Sequence, residues 1–174
     1  KLSSLNVLVD EDYLKKLNLC FSKKKISIKN FFDSGIASAI SCLKKKEKED
    51  GVVCIDIGAE TTKVVVYLNE KIIYVNNIPV AGNNVTTDIC HGLQVSTEAS
   101  ELAKINHGAV ITPFNENVEI NIDSKKKKLV SRNILFGIIK PRYDEILEII
   151  RDNVFDNIHT RVAIKSVVLT GGGS

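Results

Sequence analysis

A short polar stretch separates two apolar runs in residues 54–67, CIDIGAETTKVVVY. Asp56 lies one residue before the end of the first run, Gly58 follows that run, and Thr61 and Thr62 open the second. Glycine permits the dihedral angles of a tight turn, and consecutive backbone N–H groups in such a turn can bind an anion. A carboxylate beside the turn can hold Mg²⁺ through water. The stretch could therefore be a phosphate loop, although taken alone it favours an ordinary hairpin turn.

A second glycine site has the same design. The sequence VVLTGGGS places Gly171, Gly172 and Gly173 directly after an apolar, strand-like run. A backbone without side chains can approach a phosphate or a flat base closely. Two such strand ends in an α/β pattern could face one crevice. We expect the loop at Asp56 and the glycine triplet to lie together.

A charged pair could complete a nucleotide site. Glu101 and Lys104 are three residues apart on a predicted helix and therefore share one face. The carboxylate could accept hydrogen bonds from ribose hydroxyls, while the lysine stem could cover a base. On spacing alone, a solvated ion pair is the simpler interpretation.

Composition excludes several other classes of function. The chain is 44% hydrophobic and 26% charged, which is typical of a folded globular protein rather than a disordered one. Few aromatic residues accompany the lysine runs at 44–46 and 125–128, which we interpret as solvated loops, so no nucleic-acid surface is expected. The four cysteines form no CxxC pair, the histidines lack metal-ligand spacing, and Cys54 is expected to be a buried thiol. No secretory signal or membrane-spanning run occurs, which indicates a cytoplasmic setting.

The elements that must position these residues follow from periodicity. In the first 50 residues we predict strand-like runs at 5–9 and 25–32, a helix between them, a small-residue helix at 36–43 and a polar surface link at 44–50. From residue 52 the pattern predicts a three-stranded meander with turns at 58–62 and 69–70.

The second half of the chain is predicted to be mostly helical. The predicted elements are a helix at about 85–92, a helix capped by Ser96, a hairpin from 117 to 131 with lysines in its turn, a long amphipathic helix that ends or kinks at Pro141, and a last buried strand at 166–170. Strands followed by helices and a return strand indicate an α/β layer fold with a small insertion.

These motifs together resemble a known superfamily. Residues 51–89, GVVCIDIGAETTKVVVYLNEKIIYVNNIPVAGNNVTTDI, are similar to the second phosphate segment of the actin, Hsp70 and sugar-kinase superfamily. The segments PVAGNNVTTDI, ASELAKINHG, IIKPRYDEILEII and VVLTGGG occur in the order and at the spacing of the FtsA family of bacterial cell-division proteins. FFDSGIASAISCL resembles that family's connecting helix.

The resemblance implies an actin-like ATPase fold of the ribonuclease-H-like type. It implies a chain that binds ATP and Mg²⁺, is at most a weak ATPase, self-associates into filaments, and tethers the FtsZ ring to the inner membrane. Such a protein is cytoplasmic and peripheral on the inner membrane at the division site, and the membrane helix would lie outside this chain. By motif match, Asp56 would order Mg²⁺-bound water, with the phosphates at Gly58, Glu60, Thr61 and Thr62. Glu101 and Lys104 would reach the ribose and base, and Gly171, Gly172 and Gly173 would form the adenosine loop.

The resemblance also divides the chain. Residues 1–30 would end a family-specific small subdomain, 31–50 would be the connecting helix and linker, and 51–174 would be the second lobe with an inserted subdomain at about 96–160. A glycine triplet after a strand normally opens a further turn and helix, so we expect a C-terminally truncated fragment. An artificial linker would have the same letters.

One departure from the family pattern concerns the phosphate loop. Many relatives have Gly-Gly-Gly-Thr where this chain has Gly58-Ala59-Glu60-Thr61. The charge of Glu60 near a triphosphate could weaken binding or slow hydrolysis.

Other interpretations remain open from the sequence. A scaffold like the type IV pilus assembly protein PilM has a similar DIG segment. A small-molecule kinase of the same superfamily and a ribonuclease-H-like domain without ligand are further alternatives. The scaffold interpretation is favoured because no acidic residue lies in a sugar-pocket context.

Overall fold

The computed structural model describes residues 5–111, 116–121, 127–157 and 164–173. Its strands are β1 (Val52–Ile57), β2 (Thr62–Leu68), β3 (Lys71–Ile78), β4 (Asn117–Asn121), β5 (Lys127–Ser131) and β6 (Ser166–Thr170). Its helices are α1 (Glu11–Ser22), α2 (Ser34–Cys42), α3 (Lys45–Asp50), α4 (Gly82–Leu93), α5 (Thr97–His107) and α6 (Arg132–Asn157). The α/β content agrees with the sequence-based expectation.

The main sheet has the strand order β3-β2-β1-β6. β1, β2 and β3 form the predicted antiparallel meander, and Asn69 and Glu70 turn its second hairpin with positive φ angles of 49° and 62°. β6 runs parallel to β1, with Asp56 opposite Thr170. Valine and isoleucine dominate the central strands because β-branched side chains pack well on a pleated, buried surface.

Helices cover both faces of this sheet. On one face, Ala39 and Leu43 of the α2 region pack with Val52, Cys54 and other residues of β1 and β2. On the other face, the C-terminal half of α6 packs through Ile146 against the alternate residues of β1 and β2. The ends of β1 and β6 are thereby fixed between α2 and α6.

A second hydrophobic cluster lies beside the sheet. It joins α4, α5, the β4–β5 hairpin and the N-terminal half of α6, with Ile89, Leu135 and Ile139 at its centre. Ser96 caps α5 as predicted, since its hydroxyl accepts a hydrogen bond from the Ala99 amide. The predicted lysine turn of the hairpin falls within 122–126, outside the described residues. The proposed subdomain boundaries stay a prediction.

The sequence predicts that the long helix ends or kinks at Pro141, and the prediction of an end is wrong. The helix is continuous through Pro141 for 26 residues. Proline removes one backbone hydrogen bond and clashes with the preceding turn, which costs about 3 kcal/mol. Burial on both sides outweighs this cost, because Leu135 and Ile139 pack before the proline and Ile146 packs after it.

The strand predictions for 5–9 and 25–32 are also wrong. Neither stretch is in a strand, because among the described residues none pairs with them to complete a ladder. The predicted polar link at 44–50 contains α3, whose first turn is closed by a hydrogen bond from the Lys44 amide to Glu47 at 2.7 Å.

Two further expectations need correction. β6 is an edge strand rather than a buried one, with Val167 58% and Leu169 53% exposed. The second lysine run is not wholly a loop, since Lys127 and Lys128 belong to β5, and the Lys128 ammonium donates to the carbonyl of Leu93 at 2.7 Å.

Candidate functional site

The loop between β1 and β2 is held by the start of α4. The amide of Gly82 donates to the carbonyl of Gly58 at 3.0 Å, and the amide of Asn83 donates to the carbonyl of Ala59 at 2.7 Å. In a trans peptide the C=O and N–H groups point in opposite directions. Since these two carbonyls face α4, the amides of Ala59 and Glu60 face away from it.

Those two amides are open. Ala59 and Glu60 are exposed, and neither amide donates a hydrogen bond within the part of the chain that the structure describes. Adjacent free N–H groups with a common direction form an anion-binding concavity. The loop is thus more than a hairpin turn, because α4 fixes the direction of its donors.

The two threonines of the loop have different surroundings. Thr61 is half-buried, and its carbonyl accepts the Gly58 amide at 3.0 Å, which closes the turn. Thr62 is fully buried, and its hydroxyl donates to the carbonyl of Val80 at 2.7 Å. A direct contact between the Thr62 hydroxyl and a phosphate would require exchange of this hydrogen bond.

The glycine triplet lies against the same strand end. The Gly173 amide donates to the carbonyl of Ile57 at 2.9 Å. Gly171 has a φ of +96°, and a β-carbon there would lie 2.3 Å from the Ile57 carbonyl oxygen and 2.6 Å from Asp56 Oδ1. Only glycine fits this conformation and this approach. The two strand ends lie together as expected, and we call the region around them the crevice.

Glu101 and Lys104 extend the crevice from α5. The Lys104 ammonium contacts Glu101 at 2.7 Å, the Thr86 hydroxyl at 2.8 Å and the Gly82 carbonyl at 3.2 Å. Thr86 in turn donates to Glu101 at 2.5 Å. The Lys104 side chain is only 15% exposed, so this is not a solvated surface pair.

Electrostatics keep Glu101 ionised. The hydrogen bond from Lys104, followed by that from Thr86, lowers the pKa of Glu101 from its ordinary value of 4.5. Both bonds reach Oε2, and Glu101 remains 43% exposed. A fixed, negatively charged acceptor next to the loop is suited to hydroxyl groups of a ligand.

Tyr143 of α6 closes the back of the crevice. Its hydroxyl donates to the carbonyl of Gly173 at 2.8 Å. Burial, and then the charge of Glu101, raises the pKa of Tyr143, so it stays a neutral donor. This side chain packs against both the sheet core and the second hydrophobic cluster.

Sequence reasoning missed several of these groups. Ser38 donates from α2 to Asp56 Oδ2 at 2.7 Å, and Arg142 pairs with Asp88 of α4 through two hydrogen bonds of 2.7 and 3.0 Å. Thr86 and Tyr143 were missed as well. Their spacing carries no signal, because each partner comes from a distant part of the chain.

The groups around the two strand ends fit the cofactors that the resemblance implies. The described residues hold no group of three or more His, Cys, Asp or Glu side chains that could enclose a metal ion. Mg²⁺ bound with a nucleotide keeps several waters and needs only one or two carboxylates, so Asp56 fits that role. The open amides of the loop fit phosphate oxygens.

A comparison with family models now decides the family. The model described as "Cell division protein FtsA" matches residues 53–172, which span both strand ends of the crevice. The chain belongs to the FtsA family. Among curated FtsA proteins, that of Agrobacterium fabrum is 33% identical and is matched over 97% of this chain and 40% of its own length. The Escherichia coli FtsA is 27% identical over 94% of this chain and 41% of its own length.

Solved structures give the fold of this FtsA-family chain. MreB5 of Spiroplasma citri bound to ADP superposes with a TM-score of 0.78 at 17% identity, over 95% of this chain and 55% of that one. The fold is the actin-like ATPase fold, as the sequence resemblance implied. The chain spans about two fifths of the length of the curated FtsA proteins it matches.

The structure brings Asp56, the loop at 58–61, the Glu101–Lys104 pair and the glycine triplet to one edge of the sheet, while their roles in binding stay predictions. Across the described residues, no helix is both long and apolar enough to cross a bilayer.

Proposed function

We propose that the crevice binds ATP with Mg²⁺. The observation that carries this proposal is the convergence of a donor loop and a glycine loop at the ends of two adjacent parallel strands. Each loop comes from a different end of the FtsA-matched region. The structural neighbour MreB5 is described as bound to ADP, which supports the same ligand class.

Each part of the crevice has a role in this proposal. The amides of the loop at 58–61 hold the β- and γ-phosphates, and Asp56 orders the water around Mg²⁺. Glu101 accepts the ribose hydroxyls, while Lys104 holds Glu101 and the Gly82 carbonyl in place. Residues 171–173 contact adenosine through the backbone.

Any hydrolysis would be weak and would work by positioning. Mg²⁺ supplies neutralisation of phosphate charge when bound. The amides of the loop orient the phosphates, and the contacts around Asp56 fix the orientation of its side chain. No described side chain in the crevice stands out as a general base. Glu60 adds a negative charge at the exposed rim, which disfavours a tightly held γ-phosphate.

At the level of the whole protein, we propose an actin-like cell-division scaffold. It would form filaments, bind the tubulin-like ring protein FtsZ and tether that ring to the inner membrane. Family membership supports this proposal over a PilM-like pilus scaffold or a sugar-kinase-type phosphotransferase. The chain spans only part of its relatives, so these activities are proposed for the full-length protein.

Nucleotide binding is tested with a charge placed in the glycine loop. A β-carbon at Gly172 meets nothing within 4 Å, so Gly172→Asp leaves the fold undisturbed while it places a charged side chain where the backbone would contact adenosine. Gly137→Asp is the matched control, because Gly137 is equally open but lies on α6 away from the crevice. We expect at least a tenfold loss of fluorescent ATP binding for Gly172→Asp only. Equal affinity in both variants would contradict the site.

The scaffold proposal has its own test. The full-length protein should pellet with FtsZ filaments in a nucleotide-dependent manner, and Gly172→Asp should change that dependence. Failure to pellet with FtsZ under every nucleotide condition would favour the pilus or kinase alternatives.

A further inference from the structure

The carboxylate of Asp56 is fixed from two sides. Oδ2 accepts the hydrogen bond of the Ser38 hydroxyl at 2.7 Å. Oδ1 lies so close to the backbone of Gly171 that a β-carbon there would be 2.6 Å away. An aspartate on a strand end normally has rotational freedom about two side-chain torsions. Here its orientation is set by a neighbouring helix and a neighbouring loop.

The position of Ser38 is itself determined by close packing of α2. Ala39 is fully buried, and a β-carbon at Gly35 would lie 3.0 Å from the β-carbon of Lys63 on β2. Asp33 caps the N-terminus of the helix, since its carboxylate accepts the Ile36 amide at 2.8 Å. The small residues of α2 therefore let the helix approach the sheet until the Ser38 hydroxyl reaches Asp56.

We infer that Ser38 is a positioning residue for Mg²⁺-nucleotide binding, acting through Asp56. This inference rests on the proposed function. A single carboxylate that holds Mg²⁺ through water must present its free oxygen in a fixed direction. The Ser38 hydroxyl supplies that direction, because it holds Oδ2 and leaves Oδ1 beside the backbone of the glycine loop.

The same geometry makes α2 sensitive to the ligand. A small displacement of α2 away from the sheet would break the Ser38–Asp56 hydrogen bond without disturbing the loop at 58–61, which α4 holds. Mg²⁺-nucleotide in the crevice would therefore favour the close position of α2, and nucleotide without Mg²⁺ would not.

The experiment compares nucleotide affinity with and without Mg²⁺ in the full-length protein. Fluorescent ADP is titrated in excess Mg²⁺ and again in EDTA, for the unsubstituted protein, Ser38→Ala and Ser38→Thr. A hydrogen bond to a charged group predicts about a ten- to hundredfold loss of affinity in Mg²⁺ for Ser38→Ala. In EDTA the affinity should change less than twofold, and Ser38→Thr should restore most of the loss.

Two further variants separate this role from a general effect on the fold. Ser41→Ala is the matched control, because Ser41 lies on the same helix, and its hydroxyl donates to the Ser38 carbonyl and lies 3.7 Å from the Cys42 sulfur rather than at Asp56. It should bind normally in both conditions. Gly35→Ala must push α2 outward by a few tenths of an ångström. It should therefore lose less nucleotide affinity than Ser38→Ala, and only in Mg²⁺.

The outcomes are distinguishable. Equal losses in Mg²⁺ and EDTA, or no loss in either, overturn the role of Ser38 while binding by the unsubstituted protein leaves the proposed function standing. No binding by the unsubstituted protein in either condition overturns the proposed function and the role of Ser38 together.

Discussion

Glu101 is the residue whose charge connects the site to stability. Its pKa is lowered by the Lys104 and Thr86 hydrogen bonds, so the folded state holds the carboxylate ionised more strongly than the unfolded state does. A group with a lowered folded-state pKa stabilises the fold above its unfolded-state pKa, here 4.5, and loses that contribution as pH falls through the lower folded-state value.

This sign gives a measurable prediction. In urea unfolding at a series of pH values from 7 down to 3, Glu101→Gln should be less stable than the unsubstituted protein at pH 7. The difference should shrink as the pH falls below 4.5. Glu60→Gln is the control, since Glu60 is exposed and makes no ion pair within the described residues. A pH profile of Glu101→Gln parallel to that of the unsubstituted protein would contradict the assignment.

At the residue scale, the sequence predicts which residues meet when their place follows from their position along a strand. Asp56 and the glycine triplet could be placed together because they lie at the ends of strands, and adjacent parallel strands end at the same edge. Ser38 and Tyr143 could not, because a hydroxyl on a helix finds its partner only after that helix has docked. Thr62 is the opposite case. Its residue type suggests a hydroxyl that can contact a ligand, but its position at the start of β2 buries that hydroxyl against the Val80 carbonyl.

Among the elements, α4 and α6 are joined by the ion pair of Arg142 and Asp88. Arg142 makes two hydrogen bonds to Asp88, and its pKa is raised, chiefly by those bonds. It also contacts Glu145 one turn along its own helix. Less than a third of the Arg142 and Asp88 side chains is exposed, whereas Glu145 is about half exposed.

A double-mutant cycle should separate the two pairs. Substituting Arg142→Met and Asp88→Asn singly and together should give a coupling free energy of about 1–2 kcal/mol from urea unfolding. The matched cycle with Glu145→Gln should give about 0.5 kcal/mol or less, as for exposed pairs on one helix. Equal couplings would mean that the Asp88 pair does not fasten α4 to α6.

At the element scale, the sequence predicts local periodicity better than it predicts partners. The meander is predicted by the alternation of apolar and polar residues, and α5 is predicted by its serine cap. Both are local signals. The continuity of α6 through Pro141 has no such local signal, because it depends on two separate hydrophobic clusters that hold the helix on either side of the proline. The exposed face of β6 likewise depends on its place at the sheet edge, which no run of apolar letters reveals.

For the whole molecule, Cys54 offers a probe of global unfolding. It is 2% exposed in the middle of β1, and burial raises the pKa of its thiol to about 11. The thiolate is the reactive form, so Cys54 is protected both because reagents cannot reach it and because its thiol stays protonated. Cys20 and Cys42 are exposed and serve as internal controls.

We expect iodoacetamide at pH 8 to modify Cys20 and Cys42 at least a hundredfold faster than Cys54 in native buffer. The rate at Cys54 should rise with urea in parallel with the unfolding curve, as mass spectrometry of the separate peptides can follow. Modification of Cys54 at the rate of Cys20 without denaturant would show that the sheet opens locally.

The pairing of β1 with β6 has a consequence for biosynthesis. Chains emerge from the ribosome N-terminus first, so Val52–Ile57 is complete well before Ser166–Thr170 is made. Until then one edge of β1 has no ladder partner, and a bare apolar edge is prone to join another chain. The glycine loop that completes the crevice is also made after β1. Nucleotide can therefore bind the completed crevice only after β6 and the glycine loop have been made.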